Sequence, residues 1–184
     1  MATKKIKAPK VIGKRKWAKM TKRERLVAVA KDVLYRLDMG AFRAKTGTYL
    51  RDDGHTYTPI RGNLGDDARD KLAKQPCVGC AKGALLYSSI MLHNQVKMGQ
   101  LDGWKPYHTG KAQLNVTSNI CVNNLKDVAS CRTLNAIEDV FECDWLDDYE
   151  LDSDRLRAIM KRIILNKGTF SEQDAEVEPD VTPS

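Results

Sequence analysis

Long apolar runs are missing from this 184-residue chain. No window approaches the roughly 18 consecutive apolar residues that a membrane-spanning helix needs, and no apolar stretch of the signal-peptide kind follows the first lysines. Insertion in a membrane or export by that route is therefore not expected, and a reducing cytoplasm is the expected setting. Cysteine is scarce and odd in number: Cys77, Cys80, Cys121, Cys131 and Cys143 are spread too thinly for the paired framework of a small secreted domain. Histidine occurs three times, at His55, His93 and His108, in segments that do not adjoin. Also missing are a Walker-type phosphate loop, a Gly-x-Ser-x-Gly elbow and a His-Glu-x-x-His zinc motif. A Cys-His pair such as Cys77 with His93 or His108 has the chemistry for nucleophilic catalysis, but no spacing brings the two together. A non-enzymatic protein is the expectation.

What is present is an ordinary globular composition with its charge segregated. Apolar residues make up 42% and charged residues 30%, which excludes disorder throughout, and the length suits one domain with tails. The net charge of +7 is unevenly placed: residues 1–25 carry eleven Lys or Arg against one Glu, and residues 171–184 carry five acids and no base. The body between them is nearly balanced.

Residues 1–20 mix lysines with Pro9 and Gly13, have no helical period, and read as a flexible basic arm. Thr21-Lys-Arg-Glu24 is a capping box, and Leu26, Val29, Ala30, Val33, Leu34 and Leu37 then recur at three- and four-residue steps, so a helix is expected up to Gly40. Residues 41–65 lose that period; an extended pair near 46–50 and 55–60, turning at Asp53-Gly54, is expected there. A short helix over 66–74 precedes Pro76. Further helices are expected over about 80–98, 122–129, 134–145 and 154–166, the last with Leu156, Ile159, Met160, Ile163 and Ile164 on one face and Gly168 as its stop. The expected core comprises Val29, Val33, Leu34, Leu37, Leu85, Leu92, Ile159, Ile163 and Ile164. The acidic tail from 171 has too little apolar surface to offset ordering.

Three local patterns carry chemistry. Cys77-Val-Gly-Cys80 has the spacing of a metal chelate or a redox disulfide, and a helix start after it favours thiolate. Zinc needs two more ligands from Cys121, Cys131, Cys143, His93 and His108, and redox chemistry needs a strand leading into the motif. The favoured reading is small packing side chains and no cofactor, with a zinc or redox protein as the alternative. The acids from Glu138 to Asp154 lack the glycine and the final glutamate of a calcium loop, since Ser153 and Ile159 occupy those places, and read as a solvated face. Lys45, Thr46, Gly47, Thr48 and Tyr49 form a turn whose amides, charge and ring suit a nucleotide, against the plainer reading of a turn into a strand.

Cys77-Val-Gly-Cys-Ala-Lys-Gly-Ala-Leu85 with Asn94, and Arg155-Leu-Arg-Ala-Ile-Met-Lys-Arg-Ile-Ile-Leu-Asn-Lys-Gly-Thr-Phe170, resemble segments of a group of small bacteriophage and prophage proteins; the segments at 32–37 and 46–50 are similar as well. The resemblance covers islands within residues 25–170. It implies a phage gene product acting in a bacterial host and brings no catalytic role.

The expectation is thus a mainly α, single compact domain over 21–170 with one short hairpin, a basic arm (1–20) and an acidic tail (171–184). Its expected role is that of an accessory protein binding nucleic acid, another polyanion or a host protein, partly through Lys14, Arg15, Lys16, Trp17, Lys19, Lys22 and Arg23, against the plainer reading of the basic arm as a solubilising or host-specific tail. The alternative is a protein that sequesters a nucleotide signal at residues 45–49.

Overall fold

A computed structural model describes residues 9–52, 67–74, 76–93, 96–97, 100–101, 105–106, 112–113, 115–116, 118–143, 151–171 and 173. The segment 55–60, His55, His108 and the tail from 174 lie outside the described residues.

The capping box forms as its sequence requires: Glu24 N–H donates to Thr21 Oγ1 (3.2 Å) and Thr21 N–H to Glu24 Oε2 (2.7 Å). These bonds start α2 (Lys22–Asp38), and they hold the exposed Glu24 carboxyl below its usual range. A short helix, α1 (Lys14–Lys19), precedes it. After α2 come α3 (Ala68–Leu72), α4 (Ala81–Leu92), α5 (Ser118–Leu125), α6 (Cys131–Glu142) and α7 (Asp152–Leu165). Every residue of α4 is buried, so α4 is the axis of the fold, with α2, α5 and α6 packed around it and α7 against α2. All nine expected core residues pack here; Leu34 and Ile164 are half-buried and the other seven fully buried.

A small sheet lies at the N-terminal end of α4. Its strands are β1 (Phe42–Ala44), β2 (Leu50–Asp52), β3 (Cys77–Gly79) and β6 (Asn115–Val116), in the order β1-β3-β2-β6. β1 runs parallel to β3, with Phe42 opposite Cys77, while β2 is antiparallel to both β3 and β6. β4 (Lys105–Pro106) and β5 (Ala112–Gln113) pair separately. The fold is mainly α with a small sheet. Two details differ from the sequence-based expectation. β2 pairs with β3 and β6, both distant in the chain, and the Cys77 segment is itself a strand because its three residues are buried between two neighbours.

One close backbone approach fixes the sheet to α4, and another fixes the end of α7 to α2. A Cβ on Gly83 or Gly79 would fall on the Tyr49 carbonyl oxygen, so the 46–50 turn lies directly on the start of α4. At the other end of the molecule Gly168 (φ +87°) ends α7 by donating to Ile163 O (2.8 Å), and its Cα faces the Arg23 carbonyl.

Candidate functional site

Residues 12–20, which read as part of a flexible arm, are docked on the body. Ile12 N–H donates to Leu92 O (2.7 Å), and His93 Nδ1–H donates to Ile12 O (2.8 Å). Trp17 stacks on His93 with ring centroids 4.5 Å apart and 13° between planes. The Arg25 guanidinium covers the indole at 5.3 Å, and its Nε donates to Trp17 O (3.1 Å) while Nη1 donates to Asp127 O (3.0 Å). Trp17 is only 6% exposed. Its indole therefore serves as the anchor of α1 and is not available to stack on a base, which corrects its place in the expected binding set.

The other six members of that set, Lys14, Arg15, Lys16, Lys19, Lys22 and Arg23, are all exposed. Because Trp17 pins the backbone between them, these cations are displayed on a fixed surface. Lys22 and Arg23 continue into a groove of about 820 Å³ between the first turns of α2 and α6 and the segment 168–171. Arg132 adds a third cation, Ser130, Thr133, Thr169 and Ser171 line it with hydroxyls, and Asp139 is its one acid among the described residues. The first turns of both helices lie at this end, each closed by its own cap: Thr21 Oγ1 accepts from Glu24 N–H in α2, and Ser130 Oγ accepts from Thr133 N–H (3.1 Å) in α6. Arg132 and the hydroxyls escaped the sequence-based set because nothing local links them to residues 22–23.

The second polar cluster is buried. Cys80 occupies the N-cap of α4 but gives no side-chain cap. Glu138, reaching over from α6, does so instead: its Oε2 accepts from Lys82 N–H (3.1 Å), and its Oε1 accepts from the Cys80 thiol (3.0 Å). Glu138 is 6% exposed, so part of the acidic run read as a solvated face is in the core. Glu142, one turn on and half-buried, accepts from Gly47 N–H (2.8 Å). The Cys80 sulfur and one carboxylate oxygen each of Glu138 and Glu142 lie within 4.8 Å of one another. Lys82, also buried, donates through Nζ to Asn135 Oδ1 (3.1 Å).

This environment opposes thiolate. Burial first, and then the Glu138 charge, push the Cys80 thiol well above its ordinary value, and the same two causes raise Cys121 to about 12. A helix start alone would have lowered Cys80. Burial likewise raises the Glu142 carboxyl, against the Gly47 amide bond that lowers it.

The two cysteines of the Cys-x-x-Cys motif do not share a site. Cys77 lies on β3 beside Tyr87, and the cluster around Cys80 contains no atom of it. None of the five cysteines is in a disulfide; Cys131 is exposed at the start of α6, Cys143 half-buried at its end, and His93 is held by Trp17. The 45–49 turn is already engaged. Thr46 N–H donates to Asp152 Oδ2 (2.9 Å), Gly47 N–H to Glu142, and the Thr48 carbonyl accepts from Cys80 N–H. These amides therefore serve the protein's own carboxylates, while Lys45 remains exposed and Tyr49 half-buried.

Among the described residues no helix is long and apolar enough to cross a membrane. No protein-family model, curated protein or solved structure matches the chain.

Proposed function

We propose that the protein is a non-enzymatic accessory protein that binds nucleic acid through a fixed basic surface, in the phage setting that its segment resemblance implies. The observation that carries this reading is the docking of α1. Lys14, Arg15, Lys16, Lys19, Lys22 and Arg23 are exposed along one continuous stretch that leads into the Arg132 groove. Cations held in place lose less conformational freedom on meeting phosphates than cations on a free arm. The resulting affinity is electrostatic and indifferent to base sequence, because each phosphate neutralised releases counterions. The groove's hydroxyls and its three cations, Lys22, Arg23 and Arg132, suit a phosphate seated between them.

Docking also decides how this is tested. Deleting residues 1–20 would remove Trp17 from the core and confuse loss of binding with loss of structure. The informative variant changes the six exposed cations to Gln and keeps Trp17. At low salt the wild-type chain retards duplex DNA and the six-Gln variant, with unchanged circular dichroism, does not. Equal retardation by both removes the basic surface from the account.

A second reading, sequestration of a free nucleotide, draws support from the size of the groove, since about 820 Å³ accommodates a nucleotide. Native mass spectrometry separates the two: a nucleotide retained on the folded chain favours sequestration, and an empty chain that shifts DNA favours the first.

A further inference from the structure

We infer that residues 172–180 of this chain occupy the basic groove between α2 and α6 when no nucleic acid is bound, and that nucleic acid enters by displacing them; the displacement rests on the nucleic-acid reading of the basic surface. The chain itself leads into the groove. Gly168 lies against the Arg23 backbone, Phe170 is buried, and Ser171 and Gln173 are exposed and line the groove together with Lys22, Arg23 and Arg132. From there the sequence continues with an acid at every second position, Glu172, Asp174, Glu176, Glu178 and Asp180, and with no base among them.

That spacing has a physical meaning. Alternate residues of an extended chain share one face about 6.6 Å apart, whereas a step of two scatters them around a helix, and Pro179 disfavours helical backbone at Glu178. Extended, the segment is a linear polyanion. Facing it are the three groove cations, with Asp139 as the one opposing acid among the described residues, and the exposed lysines of α1 beyond them. Nine extended residues reach about 30 Å, twice the roughly 15 Å that ten helical residues cover, so the segment is long enough to run from the groove past Lys22 and Arg23 to Lys19. Exposed ion pairs are individually weak. A tethered segment, however, meets its site at an effective concentration of about millimolar, so weak pairs suffice to fill it. Duplex DNA carries one charge per about 1.7 Å of its axis, far denser than the segment, and therefore displaces it where sparser anions do not.

The test uses the full chain and a full-length variant carrying Glu172→Gln, Asp174→Asn, Glu176→Gln, Glu178→Gln and Asp180→Asn. Carbodiimide coupling in dilute solution, mapped by mass spectrometry, should join the 172–180 acids to Lys22 or Lys19 within one chain. Lys167 is exposed and nearer in sequence but outside the groove, so it should couple far less. Saturating duplex DNA should suppress the Lys22 and Lys19 links, and at low salt the variant should bind duplex DNA about tenfold more tightly, as expected if the groove is free about one time in ten in the wild-type chain. A DNA-binding chain whose 172–180 acids show no links to Lys22 or Lys19, or couple equally to Lys167, overturns the inference. Links that saturating DNA leaves unchanged, with equal affinities for the two chains, overturn the displacement. If neither chain binds DNA at the lowest salt, the nucleic-acid reading fails, while selective links to Lys22 still uphold the seat of the segment in the groove.

Discussion

Asp32 has no solvent exposure, and only one of its two carboxylate oxygens is bonded, to Arg36 Nε at 3.2 Å. The other lies near the Ser88 hydroxyl across the contact of α2 with α4, without a hydrogen bond of good geometry. Burial outweighs the pull of Arg36 and raises the Asp32 carboxyl above its ordinary value. A carboxyl raised on folding contributes stability that is present below its unfolded pKa and lost as the pH rises through the folded one. Asp32→Asn should therefore raise Tm at neutral pH, and the advantage should shrink as the pH falls and the wild-type carboxyl takes up its proton. Thermal melts across the acid range check this; a lower Tm for the variant at pH 7 would mean that the Arg36 pair outweighs desolvation. At this scale the sequence was partly legible. Glu138 shares the helical face of Leu134, Ile137 and Phe141, a three- and four-residue spacing that places it inward, but the density of acids around it reads as solvated surface.

At the scale of elements, the backbone contact of the 46–50 turn with α4 admits no side chain. Gly83→Ala would drive a methyl into the Tyr49 carbonyl, and neither backbone can move without disturbing the sheet or the buried helix. A loss of about 3 kcal/mol or more, or failure to fold, is expected; chemical denaturation measures it. Trp17→Ala should cost about 3 kcal/mol through lost burial and should free α1, which limited proteolysis between residues 12 and 20 would detect. The helices were legible because caps and apolar spacing are local signals: Thr21 with Glu24, Gly40 and Gly168 all act where the sequence places them. The sheet was not, since its strands are two or three residues long and pair with partners distant in the chain. Helix α1 escaped because its six residues have one apolar anchor, and the surface that accepts it comes from His93 and Arg25.

Across the whole molecule, two poles emerge on one scaffold. The buried Cys80–Glu138–Glu142 cluster gathers around the start of α4, and the basic surface runs from α1 to the groove between α2 and α6. Helix α6 belongs to both, carrying Arg132 at its start and Glu138 and Glu142 further on. If the fixed cations carry nucleic-acid affinity, the salt dependence of duplex DNA binding reveals it. Each phosphate neutralised contributes about −0.9 to the slope of log K against log salt, so six engaged cations predict a slope of about −5. In fluorescence anisotropy the wild-type chain should show that slope, and the six-Gln variant should bind far more weakly with a slope shallower by about the same amount. Equal affinities and equal slopes for the two chains, or no wild-type binding at the lowest salt, would contradict the account.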